Sequence, residues 1–598
     1  MSYKSDCDHE EIALKSFFLG PQSENASWIH ELVLHIFRRW YAWRKELYPE
    51  DGTAITQDNK LSDLFTERKH TFRNEVNTLL ERFEDEVPSF SPRYIGHMLT
   101  EISLPALLGH IITLLHNPNN ISGEVSNIGL AIEKEAVGAL IEMLGYNPEK
   151  AYGHFTSGGT VANIEGAMRA RSRLYKWVAV AAAAKEKGLF KGDVIEASQL
   201  GWDRYYELCD SITESDFIPF HLLESNPFIA SRELSRVFET EWLGSVMLVP
   251  SNKHYSWVKA AQVLGLGQEA FWAVSTDHEG RMCTDDLKSK LLKAQKELRP
   301  VMMVVSVAGT TELGEFDPVD KIQDIINECC NNTWHHVDAA YGGFFATLMH
   351  ETDGEVIKPV LEKPVRDALL AIKKATSVTI DPHKLGYVPY ASGTFICADK
   401  RDYWHTKIKA PYIAFDDDTR FEPGPQTLEG SRSAAGAVST WLTSRVIGLN
   451  REGYGRIIER SVHSTDKLAH MLVHSDDSIR VNPAGDSNII TFCVAENGEA
   501  ISETNRRSMA IYNAFSPGRK AAFVVSKTAL AMADYKALLN SFTESWSAIW
   551  DADELILIRL VLMNPFFDTV ETNISYPQTF VEELTKVLQK YRGEIATA

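Results

Sequence analysis

Residues 301–343, VMMVVSVAGTTELGEFDPVDKIQDIINECCNNTWHHVDAAYGG, decide the fold. Within this stretch, residues 301–307 and 334–337 are nearly unbroken apolar runs, which predicts strands that are buried on both faces. Between them, residues 319–330 have the apolar spacing of a helix. A strand, a helix and a second strand in this order predict two parallel strands of a sheet that helices cover.

The same alternation continues upstream of this stretch. It predicts strands at 244–250 and 270–274 and helices at 255–264 and 284–298. The middle of the chain is therefore predicted to form a mainly parallel α/β sheet. Sheets of this kind bind ligands beyond the carboxyl ends of their strands, where loops converge. Residues directly after strands are the first candidates for a functional site.

The two ends of the chain have different patterns. Residues 27–44 and 61–83 have helical spacing, whereas helical patterns beyond about residue 430 precede short strand patterns at 489–495 and 554–563. We therefore predict a helical N-terminal segment, a large domain and a small α+β C-terminal domain. Their predicted limits are 1–110, 111–430 and 431–598.

Length and composition exclude several classes of protein. A chain of 598 residues that is 44% hydrophobic and 24% charged is predicted to be a globular enzyme of more than one unit. A net charge of -20 repels nucleic acid and anionic membrane, so neither partner is expected. The polar N-terminus lacks the layout of a signal peptide, and no apolar run approaches the roughly 20 residues that cross a bilayer, which predicts a cytoplasmic protein.

The seven cysteines are irregularly spaced and odd in number. We expect them to be reduced thiols, and we predict neither disulfides nor a metal site.

The first candidate for chemistry is FTSGGT at residues 155–160, which precedes a helical run at 161–171. Glycines let backbone N–H groups approach an anion, and the positive end of a following helix favours a phosphate. A tight turn with a helix cap explains the motif equally well. The motif is neither a Walker loop nor a dinucleotide fingerprint, which argues against nucleotide binding.

The second candidate is Asp338, at the end of the predicted strand WHHVD. A buried carboxylate needs a cationic or donor partner, and a protonated pyridine nitrogen would supply one, with Ala340 leaving room for a flat ring. A structural salt bridge is the alternative. A metal at His335 and His336 is disfavoured because neighbours on a strand point to opposite faces.

The third candidate is Lys384 in SVTIDPHKLG, residues 377–386. It follows a short apolar strand, and a buried lysine whose amine is neutral can form an imine. It lies 46 residues after Asp338 (384 minus 338). An anion-binding loop, a strand-end carboxylate and a strand-end amine are together the parts that pyridoxal phosphate (PLP) needs.

These motifs resemble those of the group II PLP-dependent amino-acid decarboxylases. TSGGTVAN, HVDAAYGG and DPHK occur in the order and spacing of that family, and the resemblance covers about residues 93–566. RYIGHM, KHYSWVKA, IDPHKLGYVPY and LEGSRSAAGA resemble the bacterial tyrosine decarboxylases of the family in particular. The resemblance implies an aspartate aminotransferase-like PLP-dependent transferase fold with a mainly parallel seven-stranded sheet. It also implies a homodimer with sites at the subunit interface and an N-terminal segment that clasps the partner.

The resemblance also implies roles for individual residues. Lys384 would form the Schiff base with PLP, Asp338 would keep the ring nitrogen protonated, and His254 would stack on the ring opposite Ala340. Tyr412 would protonate Cα after carbon dioxide has left. The phosphate would be held by Gly159, Thr160, Ser377 and His383; Thr311 would lie near the ring or the substrate carboxylate; Arg559, His97 and Tyr390 would contact the substrate.

The implied reaction is decarboxylation of an L-amino acid to its amine and carbon dioxide. The overall resemblance favours an aromatic substrate such as tyrosine, and an acidic amino acid, glutamate or aspartate, is the alternative. Tyr94 and Tyr387 are further candidates for contact with the substrate side chain. A PLP aminotransferase or lyase would keep Lys384 and Asp338 but would not need Tyr412, and a non-catalytic protein of the same fold is a third possibility.

Overall fold

The structure is a computed structural model that describes residues 12–349, 360–404, 406, 423–482, 485–515, 521–569 and 574–597. Its central sheet has seven strands in the order β1-β7-β6-β5-β4-β2-β3. β7 is antiparallel to both of its neighbours, and the other pairings are parallel, so six strands run in one direction. The strands are β1 Tyr152–Thr156, β2 Val246–Pro250, β3 Phe271–Val274, β4 Val301–Val307, β5 Trp334–Asp338, β6 Ser377–Ile380 and β7 Gly393–Cys397.

The mainly parallel seven-stranded sheet was predicted correctly. β4 has the predicted limits, and β2, β3 and β5 differ from the predictions by one or two residues. β7 was not predicted: it is short, and its partner β1 is distant in sequence. β4, β5, β6 and β7 are buried along their whole length, as expected for strands covered on both faces.

Helices cover both faces of this sheet and flank it. The α-helices are α1 Ala26–Leu47, α2 Gln57–Leu61, α3 Asp63–Phe83, α4 Leu104–His116, α5 Asn127–Met143, α6 Gly159–Glu186, α7 Val194–Ser198, α8 Gly201–Cys209, α9 Glu214–Phe217, α10 Pro227–Phe238, α11 Ser256–Val263, α12 Thr284–Lys296, α13 Val319–Cys329, α14 Lys363–Ala371, α15 Arg401–Trp404, α16 Ala435–Thr443, α17 Arg456–Ser475, α18 Ile501–Ala514, α19 Met532–Glu544 and α20 Tyr576–Thr597. In the described residues, no helix is long and apolar enough to span a membrane.

α6 is the helix that follows β1 and covers the central sheet. Only its first half was predicted, but it continues to Glu186. Residues 177–184, WVAVAAAA, are almost completely buried. The run of alanines lets the helix lie close to its neighbours on several sides, so this segment does not show the one-sided periodicity of a surface helix. Its N-terminus lies directly after β1.

A second sheet forms the C-terminal part of the chain. Its four strands are antiparallel, in the order β10-β11-β9-β8. They are β8 Ile479–Val481, β9 Ile489–Val494, β10 Ser526–Ala531 and β11 Glu554–Val561. β9 and β11 were predicted, whereas β8 has only three residues and β10 is partly exposed, which left a weak apolar signal. The domain limits at residues 110 and 430 remain predictions.

Candidate active site

A cavity of about 360 Å³ lies at the carboxyl-end edge of the central sheet. Its wall is formed by the segments that follow β1, β2, β4, β5 and β6. This is the location expected for a ligand of a parallel sheet. The residues predicted from the sequence that line the cavity are Gly159, Thr160, His254, Thr311, Asp338, Ala340, His383, Lys384 and Tyr390.

Asp338 ends β5 and is 4% exposed. Its Oδ2 accepts hydrogen bonds from Asn163 Nδ2 at 2.8 Å and from Trp257 Nε1 at 3.1 Å. Within the part of the chain that the structure describes, its Oδ1 accepts only a long bond, at 3.3 Å, from the backbone N–H of Ala340. The two donors fix the carboxylate without neutralising it, so Oδ1 remains available to a cationic N–H group in the cavity.

His254 belongs to the same hydrogen-bond network as Asp338. Asn163 Nδ2 donates to Ser256 Oγ at 2.9 Å, and Ser256 Oγ is 2.9 Å from His254 Nδ1. Burial lowers the pKa of His254, although Asp338 acts in the opposite direction. Burial thus favours the neutral form of an imidazole that lines the cavity and is anchored at one nitrogen.

Lys384 lies in a turn directly after β6. Its backbone N–H donates to Asp381 O at 3.0 Å, and its Nζ is 3.3 Å from Asp381 Oδ2. His383 Nε2 lies 3.5 Å from the same oxygen, and burial lowers the pKa of His383. The lysine side chain is 20% exposed, so its amine can be reached from the cavity.

Gly158 lies in the loop after β1, and Gly159 is the first residue of α6. A Cβ atom at Gly159 would lie 2.8 Å from Asp381 Oδ2 and 3.2 Å from Ala340 Cβ, so a larger residue would fill this part of the cavity. The N-terminus of α6, a helix of 28 residues, begins here and favours an anion. Together with the carboxylate of Asp338 and the amine of Lys384, this cradle fits PLP.

Ser377 does not lie at this site. It begins β6, at the opposite end of the strand from Lys384, and it does not line the cavity. Its Oγ accepts a hydrogen bond from Trp334 Nε1 at 2.7 Å and bonds His336 Nδ1 at 2.7 Å. Because the hydroxyl is fully buried within this network, the prediction that Ser377 binds phosphate is not supported.

Arg559 and His97 form a separate cluster outside the lining of the cavity. Arg559 lies on β11 and is 3% exposed; among the described residues its hydrogen bonds are two of 3.3 Å, from Nη1 to Gly96 O and to Ser526 Oγ. Its Nε and Nη2 have no hydrogen-bond partner among the described residues. Burial lowers the pKa of Arg559, and Tyr341, which lines the cavity, opposes this effect. Burial and Arg559 together lower the pKa of His97.

Tyr412 lies outside the described residues. Tyr387 is buried, and its hydroxyl donates to Met563 O at 2.8 Å. Tyr387 therefore contacts the protein core and does not line the cavity, unlike Tyr390.

Sequence reasoning overlooked Asn163, Trp257 and Asp381. All three occur inside motifs that the sequence had already singled out, TSGGTVAN, KHYSWVKA and DPHK. The available signal was a polar side chain, or an indole N–H, among small or apolar neighbours. Each such group needs a partner when it is buried, and this requirement could have assigned Asn163 and Trp257 to Asp338.

Comparison with known proteins gives a consistent result. Residues 238–490 match the family described as the pyridoxal-dependent decarboxylase conserved domain. The chain is 29% identical to an L-tyrosine decarboxylase of Levilactobacillus brevis, over 98% of this chain and 97% of the relative. It is 31% identical to an aspartate 1-decarboxylase of Aliivibrio fischeri, over 65% of this chain and 62% of the relative. The crystal structure of Oryza sativa TDC with PLP and tryptamine aligns with a TM-score of 0.61 at 14% identity, over 94% of this chain and 98% of that one.

Proposed function

Because residues 238–490 match the pyridoxal-dependent decarboxylase conserved domain and nearly the whole chain is similar to an L-tyrosine decarboxylase, we propose that it removes the α-carboxyl group of an amino acid and releases the amine and carbon dioxide. Its cofactor is PLP. The observation that carries the proposal is that Asp338, Lys384 and the cradle at Gly159 meet in one cavity. When bound, PLP supplies an electron sink for the pair released by cleavage of the bond to the carboxylate.

The residues of this chain supply position and charge. Lys384 would attach the cofactor, and Asp338 would hold a proton at the ring nitrogen. His254 and Ala340 would enclose the ring, and Gly159, Thr160 and His383 would bind the phosphate. Thr311 lies where it could contact the ring or the substrate carboxylate. Tyr412 would deliver a proton to Cα, the step that separates decarboxylation from transamination.

We propose an aromatic substrate, with tyrosine as the first choice. The nearly full-length similarity to L-tyrosine decarboxylases supports this choice. Tyr390 is the predicted substrate residue that lines the cavity, and an aromatic side chain could pack against its ring. Arg559 does not line the cavity, but it interacts with Tyr341, which does, and its Nε and Nη2 lack partners among the described residues; it would receive the substrate carboxylate.

An acidic substrate, aspartate or glutamate, is the alternative. The similarity to an aspartate 1-decarboxylase favours it. Arg559 and His97 would then serve the side-chain carboxylate.

The experiment is a screen for amine product across the amino acids with added PLP, run beside Lys384→Ala. Tyramine from tyrosine, and no amine from the variant, is the expected result. Turnover of aspartate or glutamate without tyrosine would move the assignment to the acidic alternative. A keto acid product would indicate an aminotransferase. A purified protein without imine absorption that is unchanged by Lys384→Ala would indicate a non-catalytic member of the fold.

We also propose a cytoplasmic homodimer with the three-part division given above. The apolar residues exposed on α1 and α3, among them Trp43, Phe72 and Leu79, support a partner surface in the N-terminal segment. The cysteines in the described ranges are free thiols, which suits a reducing compartment.

A further inference from the structure

Asp381 is a buried carboxylate in the part of the cavity to which we assign the phosphate. It is 2% exposed and lines the cavity. A Cβ atom at Gly159 would lie 2.8 Å from its Oδ2, and one at Gly393 would lie 2.9 Å from its Oδ1. The carboxylate therefore lies directly against the glycine loop that would receive the anion.

The partners of Asp381 are groups that the cofactor would itself engage. Oδ2 is 3.3 Å from Lys384 Nζ and 3.5 Å from His383 Nε2. Oδ1 is buried and has no hydrogen-bond partner among the described residues. A phosphate group beside them would compete with Asp381 for these same two partners, so less positive charge would be left to balance the carboxylate.

A phosphate dianion beside a buried carboxylate is unfavourable, because like charges repel strongly where water is excluded. We propose that Asp381 takes up one proton from solvent when the phosphate group enters the cavity, and that the resulting carboxyl O–H donates a hydrogen bond to a phosphate oxygen. No other bond forms or breaks in this step. The inference rests on the cofactor position given under the proposed function.

Other groups that face Asp381 are poorer proton acceptors. Burial lowers the pKa of His383, so its imidazole favours the neutral form. Tyr390 already carries its proton, since burial raises its pKa to about 12. Across the cavity, burial lowers the pKa of His254, and the carboxylate of Asp338 is held by two donors. At the entrance to the loop, Glu429 Oε2 accepts from Ser157 N at 3.1 Å but is more exposed than Asp381.

The test uses pyridoxine 5′-phosphate, which lacks the aldehyde and so cannot react with Lys384. Its dissociation constant is measured by calorimetry on the full chain between about pH 7 and pH 8, above the second ionisation of a phosphate monoester near about 6. Uptake of one proton predicts binding that weakens by about tenfold per pH unit. Asp381→Asn, in which a neutral amide replaces the protonated carboxyl, should reduce this change to about twofold or less. Pyridoxine without the phosphate corrects for titration of the ring.

Glu429→Gln is the matched control, because it removes the other carboxylate at the loop. Its affinity for pyridoxine 5′-phosphate should still weaken by about tenfold per pH unit. A slope that persists in Asp381→Asn, or that disappears in Glu429→Gln, would overturn the inference. If Asp381→Asn does not fold, the heat of binding to the unmodified protein in two buffers of different ionisation enthalpy gives the proton count, and a count near zero would overturn it. Binding without a slope refutes this inference alone, whereas failure of the amine screen with the slope intact refutes only the decarboxylase proposal.

Discussion

Asn163 is the residue that connects the polar groups around Asp338. Its side-chain amide reaches Asp338, Ser256 and His336, at 2.8, 2.9 and 3.3 Å. Burial lowers the pKa of His336 to about 4, so the imidazole is neutral and exerts no net charge on Asn163. The orientation of the Asp338 carboxylate therefore depends on an amide whose other contacts are uncharged.

Asn163→Leu, which keeps the approximate size of the side chain and removes its donors, should weaken binding of PLP by about tenfold or more. A buried carboxylate that loses a donor is destabilised by roughly 1–3 kcal/mol. Equilibrium dialysis against PLP measures the effect. Trp257→Phe removes a single donor from the same oxygen and should have a smaller effect. Equal affinity of Asn163→Leu and the unmodified protein would contradict the role assigned to Asn163.

Ser377→Ala should leave PLP affinity unchanged within about twofold and should lower the free energy of unfolding by roughly 1–2 kcal/mol. The variant removes the partner of Trp334 Nε1 and of His336 Nδ1, and buried groups without partners are costly. Dialysis and denaturant unfolding measure the two effects, and Thr160→Ala serves as the comparison at the glycine loop. A large loss of PLP affinity with an unchanged free energy of unfolding would indicate that Ser377 does bind the phosphate.

The difference between Lys384 and Ser377 shows what the sequence determines at this scale. Lys384 could be placed because a residue that follows a strand of a parallel sheet must lie at the ligand-binding edge. Ser377 begins the same strand, and four residues of extended chain separate the two ends. The motif contains both residues, but only the direction of the strand tells which end faces the cavity. The pairing of Asp381 with Lys384 depends on the turn after β6, which the sequence does not specify.

At the scale of elements, the parallel strands were predictable because burial on both faces leaves continuous apolar runs. β4, with seven buried residues, has the limits that its composition predicts. β7 and β10 were missed for different reasons. β7 is held by pairing with β1, more than 200 residues away in sequence, and β10 has exposed residues at alternate positions. Long-range pairing and half-exposed strands leave little periodic signal in a single sequence.

α3 is a helix whose apolar side stays exposed to solvent in a single copy of the chain. This helix of 21 residues has no buried residue, although Phe72, Val76, Leu79 and Leu80 lie along one side of it. Phe72 is 75% exposed. An isolated helix in water gains little stability, and an apolar side of this size needs a covering surface. A second copy of the chain is the occupant that we propose.

Leu79→Asp should therefore shift the protein from dimer to monomer. A charge in the centre of an apolar interface stays unpaired there, which disfavours association. Light scattering after size exclusion measures the mass. Asn77→Asp adds the same charge to the same helix at a polar, exposed position, and should leave the dimer intact. A monomeric unmodified protein, or equal masses of all three proteins, would contradict the proposed interface.

At the scale of the whole molecule, the segment before α1 joins parts of the chain that are distant in sequence. The ring of Phe18 is fully buried, 5.3 Å from the ring of Tyr387 and 6.1 Å from that of Phe566. Tyr387 N donates to Lys384 O, in the turn that follows β6. The N-terminal segment thus contacts both the turn of the candidate active site and the C-terminal part of the chain. Packing of the N-terminal segment therefore helps to hold the turn at Lys384 in place.

Glu101 fixes this segment and should make its attachment depend on pH. Glu101 Oε1 accepts from Leu19 N at 3.1 Å and from Gly20 N at 3.2 Å, while Oε2 is buried without a partner among the described residues. Burial raises the pKa of Glu101 to about 7 from the ordinary value of 4.5. The folded state therefore binds the proton more tightly than the unfolded state does. The stability from Glu101 is complete below about pH 4.5 and is lost as the pH rises through about 7.

Glu101→Gln, which keeps an acceptor oxygen and carries no charge, should remove this dependence. The melting temperature of the unmodified protein should fall relative to that of Glu101→Gln, by a few degrees between about pH 5 and pH 8, because deprotonation leaves a buried charge only partly compensated. Thermal unfolding of both proteins across this range measures the difference. Glu149→Gln, at an exposed position, should follow the unmodified protein. If the curves of Glu101→Gln and the unmodified protein run parallel, the buried carboxyl does not govern the attachment of the N-terminal segment.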